Sequence, residues 1–283
     1  MWADKLSQQR YAQGESPRWD ARTKRLLWVD LATGTLHTAQ LDAGALTDQA
    51  SYQVGAQIGC AAPVTSEDGW VVATGQNFTR LHPNGTTNQI ALIAPTSATA
   101  PYLNDGTCDP SGRFWAGTQC VPRRDDGALY SLETNGTIFK RLSGVTVSNG
   151  ISFTADGRTM FYIDTLPHHA IERFTVAPDG ALSNRSLVTD VSGGNPDGMT
   201  IDDDSCLWVA VWDAAEVRRY SPHGELLTTI KVPARRPTAV ALAGTTLIIT
   251  TASVGITDPD DLGGHLFAAT APVAGPAAST WGP

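Results

Sequence analysis

The sequence predicts an all-β chain of six four-stranded blades arranged as a β-propeller, and three observations carry that expectation. Short β-rich runs recur along the chain at intervals of 40–47 residues. Polar, Gly-containing turns separate the runs, and long amphipathic helical patterns are absent.

The second run of each repeat is the most regular. It reads Leu26-Leu27-Trp28-Val29, Trp70-Val71-Val72-Ala73, Arg113-Phe114-Trp115-Ala116, Met160-Phe161-Tyr162-Ile163, Cys206-Leu207-Trp208-Val209 and Thr246-Leu247-Ile248-Ile249. Measured at Trp28, Val72, Trp115, Tyr162, Trp208 and Ile248, the spacings are 44, 43, 47, 46 and 40 residues. Turns such as Pro110-Ser111-Gly112 and Ala155-Asp156-Gly157 precede the anchors and supply the conformations a tight hairpin needs. A third run follows each anchor, for example Ala128-Leu129-Tyr130-Ser131-Leu132 and Val217-Arg218-Arg219-Tyr220. Five repeats add a fourth, such as Leu226-Leu227-Thr228-Thr229-Ile230. The sixth ends instead in an Ala/Pro-rich tail from about residue 271, so residues 6–12 are expected to supply its outer strand and close the ring. One domain spanning residues 1–283 is expected, and a β-sandwich is disfavoured because sandwiches do not repeat at this period.

Composition narrows the function. Apolar residues make up 41% and charged residues 17% of the chain, enough for a sizeable core and too little charge for disorder. A net charge of −8 argues against nucleic acid or an anionic membrane as the main partner. The absence of a long apolar run and of a signal-peptide pattern leads to the expectation of a cytoplasmic protein, monomeric or weakly self-associating. Cys60, Cys108, Cys120 and Cys206 are far apart and read as reduced packing residues.

In a propeller the first strand of each blade lines the central channel. Counting back from the anchors, Glu15, Gly59 and Asn149 lie 13 residues upstream, and Asn104, Asp197 and Pro237 lie 11 upstream. The two offsets differ by one side-chain period of a strand. Four of the six positions, Glu15, Asn104, Asn149 and Asp197, carry oxygen. Asn104-Asp105-Gly106, Asn149-Gly150 and Asp197-Gly198 would each read alone as a turn, but their common phase across blades points to one channel mouth. Two carboxylates with amide oxygens suit a hard divalent cation, which would neutralise their charge and leave positions open for water and substrate.

At these residues the chain resembles the SMP-30/gluconolactonase/luciferin-regenerating-enzyme family, which includes regucalcin and bacterial sugar-acid lactonases. The matching motifs run from Gly14-Glu15-Ser16-Pro17 through Asn104-Asp105-Gly106, Trp115-Ala116-Gly117-Thr118, Ser148-Asn149-Gly150 and Tyr162-Ile163-Asp164-Thr165 to Pro196-Asp197-Gly198-Met199, covering about residues 14–267. The resemblance implies a six-bladed propeller whose metal ligands are Glu15, Asn149 and Asp197, with Asn104 contacting substrate. Regucalcin-like members carry a sugar-binding Arg two residues before that Asn; here Tyr102 stands in its place. The acid that such members place in the segment 120–126 to contact substrate has no obvious counterpart.

No G-x-S-x-G elbow and no H-E-x-x-H motif occurs, so serine-hydrolase and zincin chemistry have no support. His168 and His169 read as solvated loop residues and Cys60 as a packed thiol. The expected activity is metal-dependent hydrolysis of a sugar lactone, such as glucono-, xylono- or arabinolactone, to the sugar acid. The cation could be Ca, Zn, Mn, Mg or Fe(II). Asp197 would serve as ligand and general base, hydroxide held by the cation being the other candidate activator, and Asn104 and Tyr102 would hold substrate hydroxyls. The competing readings are a non-catalytic calcium-binding propeller and a lactonase or esterase acting on a non-sugar lactone.

Overall fold

A computed structural model shows six four-stranded antiparallel sheets and, among the described residues, no helix, hence none long and apolar enough to cross a membrane. The structure describes residues 1–42, 44–65, 68–93 and 101–282. The chain starts with β1 (Asp4–Lys5). Blade one is β2 (Gly14–Asp20), β3 (Arg25–Asp30), β4 (Thr35–Asp42) and β5 (Ala45–Gln53). Blade two is β6 (Cys60–Pro63), β7 (Trp70–Thr74), β8 (Asn77–Leu81) and β9 (Thr87–Leu92). Blade three is β10 (Tyr102–Cys108), β11 (Phe114–Gln119), β12 (Gly127–Leu132) and β13 (Ile138–Val145). Blade four is β14 (Ser148–Phe153), β15 (Thr159–Asp164), β16 (Ala170–Val176) and β17 (Leu182–Asp190). Blade five is β18 (Asn195–Ile201), β19 (Leu207–Trp212), β20 (Glu216–Tyr220) and β21 (Leu226–Lys231). Blade six is β22 (Pro237–Ala243), β23 (Thr246–Thr251) and β24 (Phe267–Thr270), completed on its outer edge by β1.

The regularity of the second run has a packing cause. A second strand is buried on both faces, so alternate side chains feed two different blade interfaces. In β3, Leu26 and Trp28 pack with Ile248 and Leu266 of blade six, while Leu27 and Val29 pack with Ile58, Ala61 and Val72 next to and within blade two. In β11, Phe114 and Ala116 join the cluster shared with blade two, and Trp115 joins the one shared with blade four. Each neighbouring pair of blades encloses one such cluster, including the pair formed by blades six and one that closes the ring. Two of the tryptophans are also tied by their indole N–H: Trp115 donates to Asp109 at 2.8 Å and Trp208 to Asp202 at 3.1 Å.

Ring closure differs in detail from the sequence expectation. The closing strand is β1, where Asp4 pairs with Ala268 and Lys5 with Phe267, not residues 6–12. The reason lies in the apolar residues of that segment. Leu6 and Tyr11 are buried among Leu26, Trp28, Ile248 and Leu266, between the sixth and first blades. An outer strand presents one face to water, which suits Asp4 and Lys5, both exposed.

The Ala/Pro-rich tail has a defined course. Its backbone bonds successively to Thr245, Asp203, Trp19 and Pro63, through Ala271, Ala274, Ala278 and Trp281. It therefore runs from blade six past blades five and one to blade two, over the channel end opposite the starts of the innermost strands.

Candidate functional site

The innermost strands β2, β6, β10, β14, β18 and β22 surround the channel, and five of the six are irregular. The ladder slips between Glu15 and Arg18 in β2, Leu103 and Gly106 in β10, Asn149 and Ile151 in β14, Pro196 and Met199 in β18, and Pro237 and Ala239 in β22. Only β6 pairs without a slip, and it contributes no side chain to the site. A bulge leaves a residue out of the ladder and re-aims its side chain. Asn104 and Asp197 lie within such slips, and Glu15 and Asn149 border them. In β2 the irregularity includes Ser16 in the left-handed region, at φ 49°.

The glycines after these residues are needed for space rather than for turns. Neither Gly150 nor Gly198 has a positive φ. A Cβ on Gly198 would meet Cβ of Ala239 at 2.4 Å, and one on Gly150 would meet Cβ of Met199 at 2.7 Å. Bare glycines thus let neighbouring innermost strands approach closely around the axis.

The starts of these strands enclose a cavity of about 90 Å³, lined by Glu15, Asn104, Asn149 and Asp197 together with Gln13, Gln119, Arg123, Thr165 and Trp212. Glu15, Asn104, Asn149 and Asp197 are all buried. A hydrogen-bond chain fixes the amides. Gln119 Nε2 donates to Asn104 Oδ1 at 2.8 Å, and Asn104 Nδ2 donates to the Ser148 carbonyl at 2.8 Å and to Asn149 Oδ1 at 2.9 Å. Asn149 Nδ2 donates to Thr165 Oγ1 at 2.7 Å, and that hydroxyl donates to the Pro196 carbonyl at 2.7 Å. Both amide hydrogens of Asn104 and one of Asn149 are thereby committed to protein partners, which fixes the Asn149 amide so that Oδ1 keeps a lone pair for a further ligand.

The carboxylates are in tension. Burial, reinforced by the charge of Asp105, pushes Glu15 from its ordinary value near 4.5 up to about 8, against a hydrogen bond from Gln13. Burial likewise raises Asp197, followed by the charges of Glu15 and Asp105, with Arg123 and the Gly198 N–H pulling the other way. Asp105 is raised by its own burial and held down by Arg18, whose Nη2 lies 3.9 Å away. Two buried carboxylates sharing a cavity repel each other unless one takes a proton or a cation lies between them. Among the described residues no three His, Cys, Asp or Glu side chains form a metal cluster, so a cation here would depend on amide oxygen as well. Two carboxylates plus the oriented Asn149 carbonyl form an all-oxygen set that fits a hard divalent cation.

Tyr102 is half-buried at the start of β10 and does not line this cavity; burial raises its phenol, against hydrogen bonding with Gln57 and Gln119 and the charge of Arg123. His168 is exposed and His169 half-buried in the turn after β15, away from the cavity lining. Cys60 is fully buried, and burial pushes its thiol well up, which makes it an unreactive packing group. All four cysteines are free and buried.

Sequence reasoning missed Gln13, Gln119, Arg123, Thr165 and Trp212. Gln119, Thr165 and Trp212 stand at or just beyond the ends of second strands, and Arg123 in the connection after β11, so no innermost-strand count reaches them. A detectable signal did exist for three of them: each follows a second-strand anchor by three or four residues, at Gln119, Thr165 and Trp212 after Trp115, Tyr162 and Trp208.

Comparison with known proteins agrees with this architecture. The family model for the SMP-30/Gluconolactonase/LRE-like region matches residues 13–253. The 6-deoxy-6-sulfogluconolactonase of Pseudomonas putida is 34% identical over 235 residues, covering 82% of this chain and 79% of that protein. The L-arabinolactonase of Azospirillum brasilense is 32% identical over 263 residues, covering 89% and 85%. The solved structure of luciferin-regenerating enzyme superimposes with a TM-score of 0.92 at 26% identity, over 99% of both chains.

Proposed function

The chain belongs to the SMP-30/gluconolactonase/LRE-like family, and from that premise we propose that it is a lactonase, hydrolysing a sugar lactone to the sugar acid with the help of one divalent cation. The observation that carries this reading is the convergence of the buried side chains of Glu15, Asn149 and Asp197 on one small cavity at the channel mouth.

In this reading Glu15, Asn149 and Asp197 hold the cation. When bound, it supplies Lewis-acid polarisation of the lactone carbonyl and offsets the two carboxylate charges. Asp197, the carboxylate that feels the charge of Arg123 across the cavity, stays ionised beside the cation and accepts a proton from the attacking water. The water oxygen bonds to the acyl carbon, the bond from that carbon to the ring oxygen breaks, and a proton passes to the departing oxygen, which becomes a hydroxyl of the acid. Asn104 acts by position: its amide hydrogens go to Ser148 and Asn149, so it aims the Asn149 carbonyl. Gln119 and Thr165 hold the two ends of that amide chain. Tyr102, one layer back, shapes selectivity through Gln119 and Arg123. The two named relatives act on lactones with different substituents, so family membership leaves the sugar open.

A panel of aldonolactones, assayed with chelated protein and with Ca²⁺, Zn²⁺, Mn²⁺, Mg²⁺ or Fe²⁺ added back, tests the reading. Ring opening restored by at least one cation is the expected result. Absence of turnover under every condition defeats it.

A further inference from the structure

Charge is unevenly distributed in the candidate site. The acids Glu15 and Asp197 are buried, whereas Arg123 is an exposed residue on the segment between β11 and β12 that lines the same cavity. Asn104, Gln119, Asn149, Thr165, Asn195 and Trp212 supply a neutral wall. The field of Arg123 reaches the hydroxyl of Tyr102 beside the cavity.

Among the described residues Arg123 lacks an acid partner, as do the exposed Arg124 and Arg158, and of these three it alone lines the cavity. Arg113 and Arg141 close on Glu133, Arg218 on Glu216 and Arg219 on Asp202, at 2.7–2.9 Å. Among the described residues no carboxylate lies within ion-pair distance of Arg123 and no side chain or carbonyl accepts a hydrogen bond from it. A guanidinium left unpaired over a cavity offers a planar fork of donors, which matches an oxyanion in two parallel charge-assisted hydrogen bonds better than it matches a lone hydroxyl.

We propose that Arg123 makes the site selective for lactones that carry an oxyanion group, such as a sulfonate or phosphate, at the end remote from the reacting carbonyl. This rests on the lactonase reading above. The reacting carbonyl lies toward Glu15, Asn149 and Asp197, and the anionic end lies at the rim against Arg123. A neutral sugar lactone makes the first set of contacts and lacks the second.

The test compares gluconolactone with its 6-deoxy-6-sulfo and 6-phospho analogues in wild type, Arg123→Gln, Arg123→Lys and Arg124→Gln. The readout is the ratio of kcat/KM, anionic over neutral, at low and high salt. Alongside it, calorimetry measures binding of the open-chain sulfonated acid. Wild type prefers the anionic lactones, and salt weakens the preference. Arg123→Gln lowers the ratio about 10–100-fold, the scale of a hydrogen-bonded charge contact. Arg123→Lys retains part of the preference, and Arg124→Gln, which removes the same charge outside the cavity lining, leaves the ratio in place. Sulfonate and phosphate arms show which oxyanion fits. Turnover of the neutral lactone with a ratio unmoved by Arg123→Gln, or an equal loss in Arg124→Gln, overturns the proposal and leaves the lactonase reading standing. Binding of the sulfonated acid that Arg123→Gln abolishes, without hydrolysis of any lactone, does the reverse. Neither binding nor turnover overturns both.

Discussion

The two mouths of the channel are built from the same innermost strands and differ in almost every other respect. At the strand starts the ladders slip, the lining is polar, and the cavity is small, about 90 Å³. At the strand ends the ladders are regular and the cavity is larger, about 240 Å³, lined by Phe153, Met199, Ile201 and Leu242 among others and bounded by tail residues Pro276 and Ala278. Register explains the contrast. A regular strand alternates its side chains between the two neighbouring blades, which serves packing. A bulge turns a residue out of that alternation toward the axis, where oxygen atoms from four blades can meet. The convergent oxygen-bearing side chains sit at or beside the breaks in the ladders, and the Ala/Pro-rich tail covers the mouth where the ladders are regular.

The largest separation between the mouths is expected in catalysis. Asp197→Asn keeps the size of the side chain and one carbonyl oxygen but removes a charge and a base. With cation titrated to a plateau and occupancy measured directly, kcat remains reduced about 10²-fold or more, the usual scale of general-base loss. Asn149→Ala removes a neutral ligand and no base, so excess cation rescues more of its activity. Equal rescue of both variants at full occupancy takes the base role from Asp197.

Protons provide a second contrast. In the chelated protein, folded Glu15 keeps its proton up to about pH 8, whereas the unfolded chain releases it near 4.5. The folded state therefore binds more protons between these values. The stability associated with this group is present below about pH 4.5 and is lost as pH rises toward 8. Thermal melts of chelated protein should fall across that window, and either saturating divalent cation or Glu15→Gln should flatten the fall. An unchanged slope in Glu15→Gln assigns the pH dependence to other groups.

The smallest expected effect lies at the opposite mouth. Trp281 is half-buried against the cluster between blades two and three, and its backbone bonds to Pro63 and Thr65. Trp281→Ala should cost roughly 1–2 kcal/mol of stability, below the range for a fully buried aromatic. Urea denaturation reads this loss, and kcat should stay close to wild type. A fall in kcat as large as that of Asp197→Asn would couple the two mouths and break the comparison.

The blades were legible because their second strands are buried on both faces, so Leu26-Leu27-Trp28-Val29 and its counterparts announce themselves as apolar runs at a steady period. Glu15, Asn104, Asn149 and Asp197 were legible because a common phase in different blades brings residues to one mouth. The glycine after each of the last two also follows a physical rule that a turn reading obscures: Gly150 and Gly198 sit in strands, where a neighbouring strand comes too close for a Cβ. Arg123 was not legible. It stands on a connection with no periodicity, and what sets it apart, a guanidinium over the cavity without an acid beside it, exists only once the blades are assembled. The closing strand was misplaced for a related reason. Leu6 and Tyr11 suggest a strand by their type, but those side chains are taken up between two blades, and the edge falls to Asp4 and Lys5.

The central claim is that Glu15, Asn149 and Asp197 form one cation site at the bulged mouth, and calorimetric titration of chelated protein with divalent cations tests it without reference to substrate. The account predicts one equivalent bound per chain for at least one cation. It also predicts affinity at least about 10-fold weaker in both Glu15→Gln and Asp197→Asn, each of which removes a carboxylate charge from a buried site, and unchanged affinity in Trp281→Ala. No binding by wild type, or binding that neither carboxylate variant weakens, would contradict it.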